Sequence, residues 1–239
     1  MNSVEQLQQI IDESKSIVFF TGAGASTESG IPDFRSVDGL YNQKYKYPPE
    51  EIISHSFYVR NPEEFYRFYK DRMVYLDAKP NGGHLKMAEL EKAGKCKGVV
   101  TQNIDGLHTM AGSSNVLELH GSIHRNYCEK CGKFHSLDEV MAQEGVPYCE
   151  CGGMIKPDVV LYEESLDYSV MEKAVKLIET CDTLIIVGTS LVVYPAAGMV
   201  RYFRGNNLVV MNMSATSSDS AADLVIRQPA GEVLAQIKV

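Results

Sequence analysis

Seven short runs of apolar and β-branched residues punctuate the chain: SIVFF (16–20), GVVT (98–101), NVLEL (115–119), DVVLY (158–162), TLIIVG (183–188), NLVVMN (207–212) and DLVI (223–226). Several are continuous rather than alternating, the pattern of strands buried on both faces of a parallel sheet. Helical periodicities lie between many of them, over 84–93, 167–180, 195–204 and 230–237. At the start, Ser3 with Gln6 reads as a capping box opening an amphipathic helix through Val4, Leu7, Ile10 and Ile11. Strands alternating with helices predict a doubly wound α/β sheet.

Two stretches break that rhythm. Residues 38–82 are rich in tyrosine, proline and charge, as in YNQKYKYPPEE and PEEFYRFYKDRMVYL. They read as a lid-like loop followed by a helix. Residues 125–156 hold four of the six cysteines and little apolar material. Both read as insertions that together form a smaller lobe. The fold class expected is therefore α/β, a mostly parallel Rossmann-like sheet with a smaller inserted lobe that contains a helical module and a cysteine-bearing module.

The chain has 239 residues, 44% apolar and 23% charged, which suits a globular protein with a sizeable core. Its net charge of −8 disfavours a nucleic-acid partner, whose backbone calls for the opposite sign. The N-terminus lacks the basic start and apolar stretch of a signal peptide. No apolar run approaches the ~18 residues that span a membrane. A cytoplasmic protein with reduced thiols is expected.

That expectation bears on the cysteines. Cys128-x-x-Cys131 and Cys149-x-Cys151 are separated by 17 residues, and each pair is followed by glycine. Two tight turns presenting two thiolates each suit one tetrahedral Zn²⁺, and a site filled by four protein ligands is structural. Two disulfides or a redox pair are the alternatives, and a reducing compartment argues against both. Cys96 and Cys181 have no partner pattern and read as buried thiols. His124 and His135 lie near the quartet as spare ligands.

The remaining chemistry gathers at strand ends, where α/β sheets bind ligands. TGAGASTESGIPDFRS (21–36) follows the first run, with Gly22 and Gly24 but Thr27 where a dinucleotide fingerprint has its third glycine. Ser26, Thr27 and Ser29 are placed to cap a following helix, whose amides suit a phosphate. Arg35 suits a phosphate from the other side. TQNIDGLH (101–108) brings Gln102, Asn103 and Asp105 to the next strand end, and ELHGS (118–122) brings His120. An ordinary Asx turn and a structural histidine are the bland readings of these two. GTSLVVYPAA (188–197) adds Gly188, Thr189 and Ser190, with Pro195 placed to start a helix. Asn212 ends the NLVVMN run and suits a ribose hydroxyl.

In the order and spacing of these motifs the chain resembles the sirtuins, NAD-dependent protein lysine deacylases. The resemblance rests on GAGASTESGIPDFRS, TQNIDGLH, LELHGS, the cysteine quartet, KPDVVLYEE, GTSLVVYPAA, MNMS and DLVI with GEVL. It implies that NAD is cleaved between nicotinamide and ribose while an acyl-lysine carbonyl attacks the ribose carbon. Phe34 would shield that carbon. Asp33, Asn103, Ile104 and Asp105 would hold the carboxamide. Gly22, Ala23, Gly24, Thr27 and Arg35 would contact NAD and its phosphates. Gly188, Thr189, Ser190, Asn212 and Ile226 would complete the cofactor site. Gln102 and Asn103 would orient the ribose, and His120 would act as general base, giving free lysine, nicotinamide and O-acyl-ADP-ribose.

The resemblance also implies substrate binding by strand addition, against Val159, Val160, Leu161 and Tyr162 on one side and Val193 on the other. It implies a nucleotide-binding domain over 1–37, 84–124 and 157–239, a helical module with a cofactor-binding loop over 38–83, and a zinc module over 125–156. One structural Zn²⁺ per chain, a monomeric state, and no nucleic-acid or membrane partner complete the expectation. Two positions depart from the family. Glu163 stands in Tyr162-Glu163-Glu164 where members commonly read Phe-Gly-Glu, and Ala25 replaces a branched residue. Tyr69-x-x-Arg72 matches the pair by which some sirtuins read succinyl or malonyl groups, and a surface pair on a helix is the alternative. Mono-ADP-ribosyl transfer and a non-enzymatic zinc-ribbon module are the rival functions.

Overall fold

The computed structural model describes residues 2–33 and 46–239. Its larger layer is a six-stranded parallel sheet built from β1 (Ile17–Thr21), β2 (Cys96–Thr101), β3 (Val116–Glu118), β7 (Thr183–Val187), β8 (Asn207–Met211) and β9 (Leu224–Ile226), in the spatial order β3-β2-β1-β7-β8-β9. β1 shows why its sequence is a continuous apolar run. Ile17 and Phe19 enter one buried cluster, with Leu7, Leu90 and Leu234. Val18 and Phe20 enter the other, with Ala174, Ile178 and Met199. Helices α1 (Ser3–Glu13), α5 (Gly82–Lys92) and α9 (Ala230–Ala235) cover the first face. Helix α8 (Tyr168–Thr180) and a 3₁₀ segment over Ala196–Tyr202 cover the second.

The smaller lobe contains a three-stranded antiparallel sheet, order β5-β4-β6, from β4 (Gly121–Cys128), β5 (Phe134–His135) and β6 (Ile155–Val159). Against it lie α2 (Pro49–Ile52), α3 (His55–Arg60) and α4 (Pro62–Phe68), with α7 (Leu137–Met141) beside the cysteines. Phe57, Tyr58, Phe65, Tyr66 and Tyr69 form an aromatic core that also takes in Val159 and Leu161. Edge-to-face rings at 5.0 to 6.1 Å explain the tyrosine-rich composition of this stretch.

Four expectations are corrected. The first cap uses Asn2 and Glu5, because Asn2 supplies the side-chain acceptor one residue earlier than Ser3. DVVLY is not a parallel strand. Only Asp158 and Val159 belong to β6, which pairs antiparallel with β4. Residues 49–73 form three short helices and one π turn (Tyr69–Met73) rather than a single helix, because Ser54 and the Asn61–Pro62 step each cap a new start. Among the described residues no long helix follows the glycine turn. Two 3₁₀ turns, Ala23–Ala25 and Thr27–Ser29, stand there instead, and Ser26 makes no cap.

Candidate active site

The strand order fixes where a ligand fits. From β1 the chain winds outward through β2 and β3, and later through β7, β8 and β9 on the other side. The reversal lies between β1 and β7, and the crevice beyond their carboxyl ends is the binding position in such sheets. Gly22–Gly24 and Gly188–Thr189 meet at that point. The Gly22 and Gly24 amides donate to the Val187 and Gly188 carbonyls at 3.0 and 2.8 Å. Gly188 sits at φ +61°, and a Cβ there would come within 2.2 Å of the Ala25 nitrogen. Only glycine allows the two loops to touch this closely.

Neighbouring strand ends converge on the same crevice. Gln102 Nε2 donates to Thr189 Oγ1 at 2.9 Å, bridging the ends of β2 and β7. Asn103 is buried, and its Nδ2 donates to the Gly22 carbonyl and to Ser26 Oγ, both at 3.1 Å. Asp105 accepts the Ser26 hydroxyl at 2.7 Å and also caps Leu107 N at 2.9 Å. At the far side, the Asn212 amide donates to the carbonyl of buried Ile226 at 3.1 Å.

His120 ends the strand-end series. Its Nδ1 lies 2.9 Å from the Gln102 carbonyl, which only accepts, so Nδ1 carries the proton and Nε2 is left basic. Nε2 makes no hydrogen bond among the described residues. Burial holds the ring below its ordinary value of 6.5, and the bond to the Gln102 carbonyl opposes that only in part. His120 is thus neutral at pH 7. Gly121, at φ +76°, lets the chain turn from His120 into β4, and a Cβ there would overlap the Asp158 carbonyl.

The candidate peptide edge, residues 159–164, runs between His120 and the helical module. Val160 N donates to the His120 carbonyl at 3.0 Å, and Tyr162 N to the Ile53 carbonyl at 3.1 Å. Glu163 stands in the left-handed region at φ +76°, where a side chain is strained. Its carboxylate accepts from Ser56 N and Oγ at 2.8 and 3.0 Å, in the first turn of α3. Glu164 pairs with His55 at 2.8 Å and Lys156 at 3.2 Å. Part-buried Val193 lies on the loop before Ala196–Tyr202.

The four cysteine sulfurs lie within 4.8 Å of one another, with Cys128–Cys151 at 3.4 Å and Cys131–Cys149 at 3.8 Å. Tetrahedral zinc with ~2.3 Å bonds sets sulfurs about 3.8 Å apart, so this donor set fits the ion. Two turns present them, closed by the Gly132 amide on the Cys128 carbonyl and the Gly152 amide on the Cys149 carbonyl, each 2.8 Å. His124 instead bonds the Asp105 carbonyl, and His135 lies 3.8 Å from Glu139. Cys96 and Cys181 are buried thiols pushed up to about 12 by burial.

Other predicted residues are placed as follows. Ala23, Thr27, Asp33, Ile104 and Ser190 lie on the crevice loops, and Phe34 and Arg35 fall outside the described residues. Tyr69 is fully buried against Phe65 and Tyr66, whereas Arg72 pairs with Asp71 at 2.7 Å. Sequence reasoning missed the support beneath the site: Thr21, Thr101, His84 and His108, and Ser26 in the role it takes here. The only local signal was a threonine closing each of two apolar runs.

Comparison with known proteins agrees with this geometry. The Sir2 family model matches residues 22–195. The chain is 56% identical over 238 residues to the NAD-dependent protein deacetylase of Clostridium acetobutylicum, covering 98% of this chain and 97% of that protein. It is 56% identical over 240 residues to the enzyme of the same name from Clostridium perfringens, covering 99% and 98%. A solved Sir2–p53 peptide–NAD⁺ complex superposes with a TM-score of 0.85 at 38% identity, covering 98% of this chain and 96% of that one. With the family model spanning most of its length and relatives this similar along all of it, the chain belongs to the Sir2 family of sirtuins.

Proposed function

We propose that this protein is an NAD-dependent protein lysine deacylase, with acetyl-lysine as its first substrate class. The observation that carries the reading is His120. Its ring is neutral, its tautomer is set by the Gln102 carbonyl, and its Nε2 is unengaged among the described residues. It stands beside Asn103 at a sheet edge shaped for a dinucleotide. NAD, when bound, supplies the electrophilic ribose carbon and nicotinamide as leaving group.

The chain's own residues then have separate tasks. The glycine loops admit the pyrophosphate close to the backbone. Asn103 and Gln102 orient the ribose, and Asp105 with Ile104 receives the carboxamide. His120 Nε2 takes a proton from a ribose hydroxyl, a role that calls for a base near neutrality. The edge over 159–162, opposite Val193, pairs with an extended peptide through its backbone, which asks little of the peptide's sequence. An amide oxygen is a weak nucleophile, so holding it in line supplies much of the rate. The cysteine quartet would hold one zinc, which would tie the end of β4 to β6. We infer a cytoplasmic monomer, divided as the insertions suggest. Among the described residues no helix is long and apolar enough to cross a membrane.

The test is nicotinamide release from NAD, with and without an acetyl-lysine peptide, for wild type and His120→Ala. Release is expected to require the peptide and to fall on the order of 10²-fold or more in the variant. Release that ignores the peptide, or steady-state release that survives the substitution, would overturn the reading.

A further inference from the structure

Beneath Asn103 lie two buried histidines that the proposed chemistry does not use. His84 and His108 are 1% and 2% exposed, and their ring centroids lie 4.7 Å apart at a tilt of 59°. They come from different elements, α5 and the short α6 (Leu107–Met110). The directions of their hydrogen bonds follow from the partners.

His84 Nδ1 accepts the Asn81 amide at 3.3 Å, so its proton is on Nε2, which faces Ser26 Oγ at 3.5 Å. Ser26 gives its own proton to Asp105 and receives one from Asn103 Nδ2. On the other side, Thr21 gives its proton to Thr101 Oγ1 at 2.8 Å. Thr21 can therefore only accept from His108, whose Nε2 lies 3.0 Å away. Thr101 Oγ1 accepts in turn from the Asn103 backbone amide at 3.0 Å. His108 Nδ1 is buried without a partner.

Both chains end on Asn103, one on its backbone and one on its side chain. The Gly22 carbonyl and Ser26 Oγ take both Nδ2 protons, so the amide cannot turn over. Its Oδ1 makes no hydrogen bond among the described residues and is the atom offered to the crevice.

We propose that His84 and His108 are a pair of positioning residues, each holding its proton on Nε2, that brace Asn103 from two sides and so fix the acceptor it presents to the NAD ribose. The inference rests on the deacylase reading for its substrate but not for its geometry. Burial keeps both rings neutral, with the facing His84 adding to the effect on His108. The groups facing the pair are Asp105, Ser26, Thr21 and the Asn81 amide.

Two conservative pairs of variants test it. Glutamine places its N–H where Nε2 stands, and asparagine places it where Nδ1 stands. His108→Gln is expected to stay within about threefold of wild type in kcat and in NAD KM. His108→Asn is expected to lose on the order of tenfold to a hundredfold in kcat/KM for NAD, with peptide KM unchanged. Thr21→Val should behave like His108→Asn, and Thr21→Ser should restore activity. Calorimetric NAD binding is measured on the same proteins and should weaken in His108→Asn and Thr21→Val alone. Equal behaviour of His108→Gln and His108→Asn, or a peptide KM that rises in step with that of NAD, would overturn the brace. If wild type shows no peptide-dependent release, the deacylase reading falls and NAD binding across the four variants still decides the brace. If His108→Asn does not fold, the Thr21 pair decides it.

Discussion

The backbone N–H of Val160 donates to the carbonyl of His120 at 3.0 Å. One hydrogen bond thus ties the candidate base to the candidate peptide edge. His120 is held from its other side by the Gln102 carbonyl at 2.9 Å, and Gln102 in turn bonds Thr189 at 2.9 Å. Peptide edge, base and nucleotide loops form one connected frame. Arg125 of β4 adds a brace between the sheets, pairing with Glu118 of β3 and Asp158 of β6, each at 2.7 Å.

The acid limb of activity follows from His120. Burial lowers its pKa from 6.5, and the bond to the Gln102 carbonyl raises it back only in part. The base is active when neutral, so kcat/KM for the peptide should hold from pH 8 to 6.5. It should then fall with unit slope at a midpoint below 6.5. A rate profile from pH 5 to 8 checks this, and a midpoint above 7 would contradict the assignment.

Acid should also destabilise the fold before any carboxylate titrates. His108 is drawn down to about 3 by burial and by His84, so the native state stays neutral while the unfolded chain binds a proton below 6.5. The stability it contributes is complete above 6.5 and is lost as pH falls toward 3. The slope is up to ~1.4 kcal/mol per pH unit for one such proton. Urea midpoints at pH 7.5 and 5 measure it, and His108→Gln should reduce the difference, leaving the share that buried His84 and His120 contribute.

Glu163 combines two opposed effects. Its left-handed backbone costs about 1 kcal/mol that glycine avoids, while its carboxylate caps the first turn of α3. Glu163→Ala keeps the strain and loses the cap, so a loss of ~1–2 kcal/mol is expected. Glu163→Gly loses both and should stay within about 0.5 kcal/mol of wild type. Thermal unfolding of the two variants separates the terms. Peptide KM should rise in Glu163→Ala while NAD KM stays level.

Zinc content should be one ion per chain, lost in Cys128→Ser or Cys149→Ser. Cys128 and Cys149 pack with Val140 and Ile155, so removing the ion unties the end of β4 from β6. A strong chelator is expected to lower the melting temperature and the activity together, and added zinc to restore both. Full activity in metal-free protein would refute a structural role.

Arg72 tests acyl preference. If it pairs with an acidic acyl group, Arg72→Met should depress desuccinylation on the order of tenfold more than deacetylation. Equal loss on both peptides would leave Arg72 as the partner of Asp71 that it is here.

Elements whose signal is local were legible in the sequence. Continuous apolar runs gave the buried parallel strands, and β1, β7 and β8 lie within a residue of where the pattern put them. Cysteine spacing determined the quartet, because two tight turns close on themselves. The polar residues at strand ends pointed to the edge where the candidate site lies. What joins across long separations came from the packing of the whole chain. DVVLY has the same apolar pattern whichever sheet it enters, and pairing with β4 placed it in the smaller one. Likewise, no local pattern links Thr21 to His108, 87 residues apart, or Ser26 to Asp105, 79 apart. Nor does one link Glu163 to Ser56, 107 residues back. Buried polar atoms must find partners wherever packing brings them, and that requirement is settled by the fold as a whole.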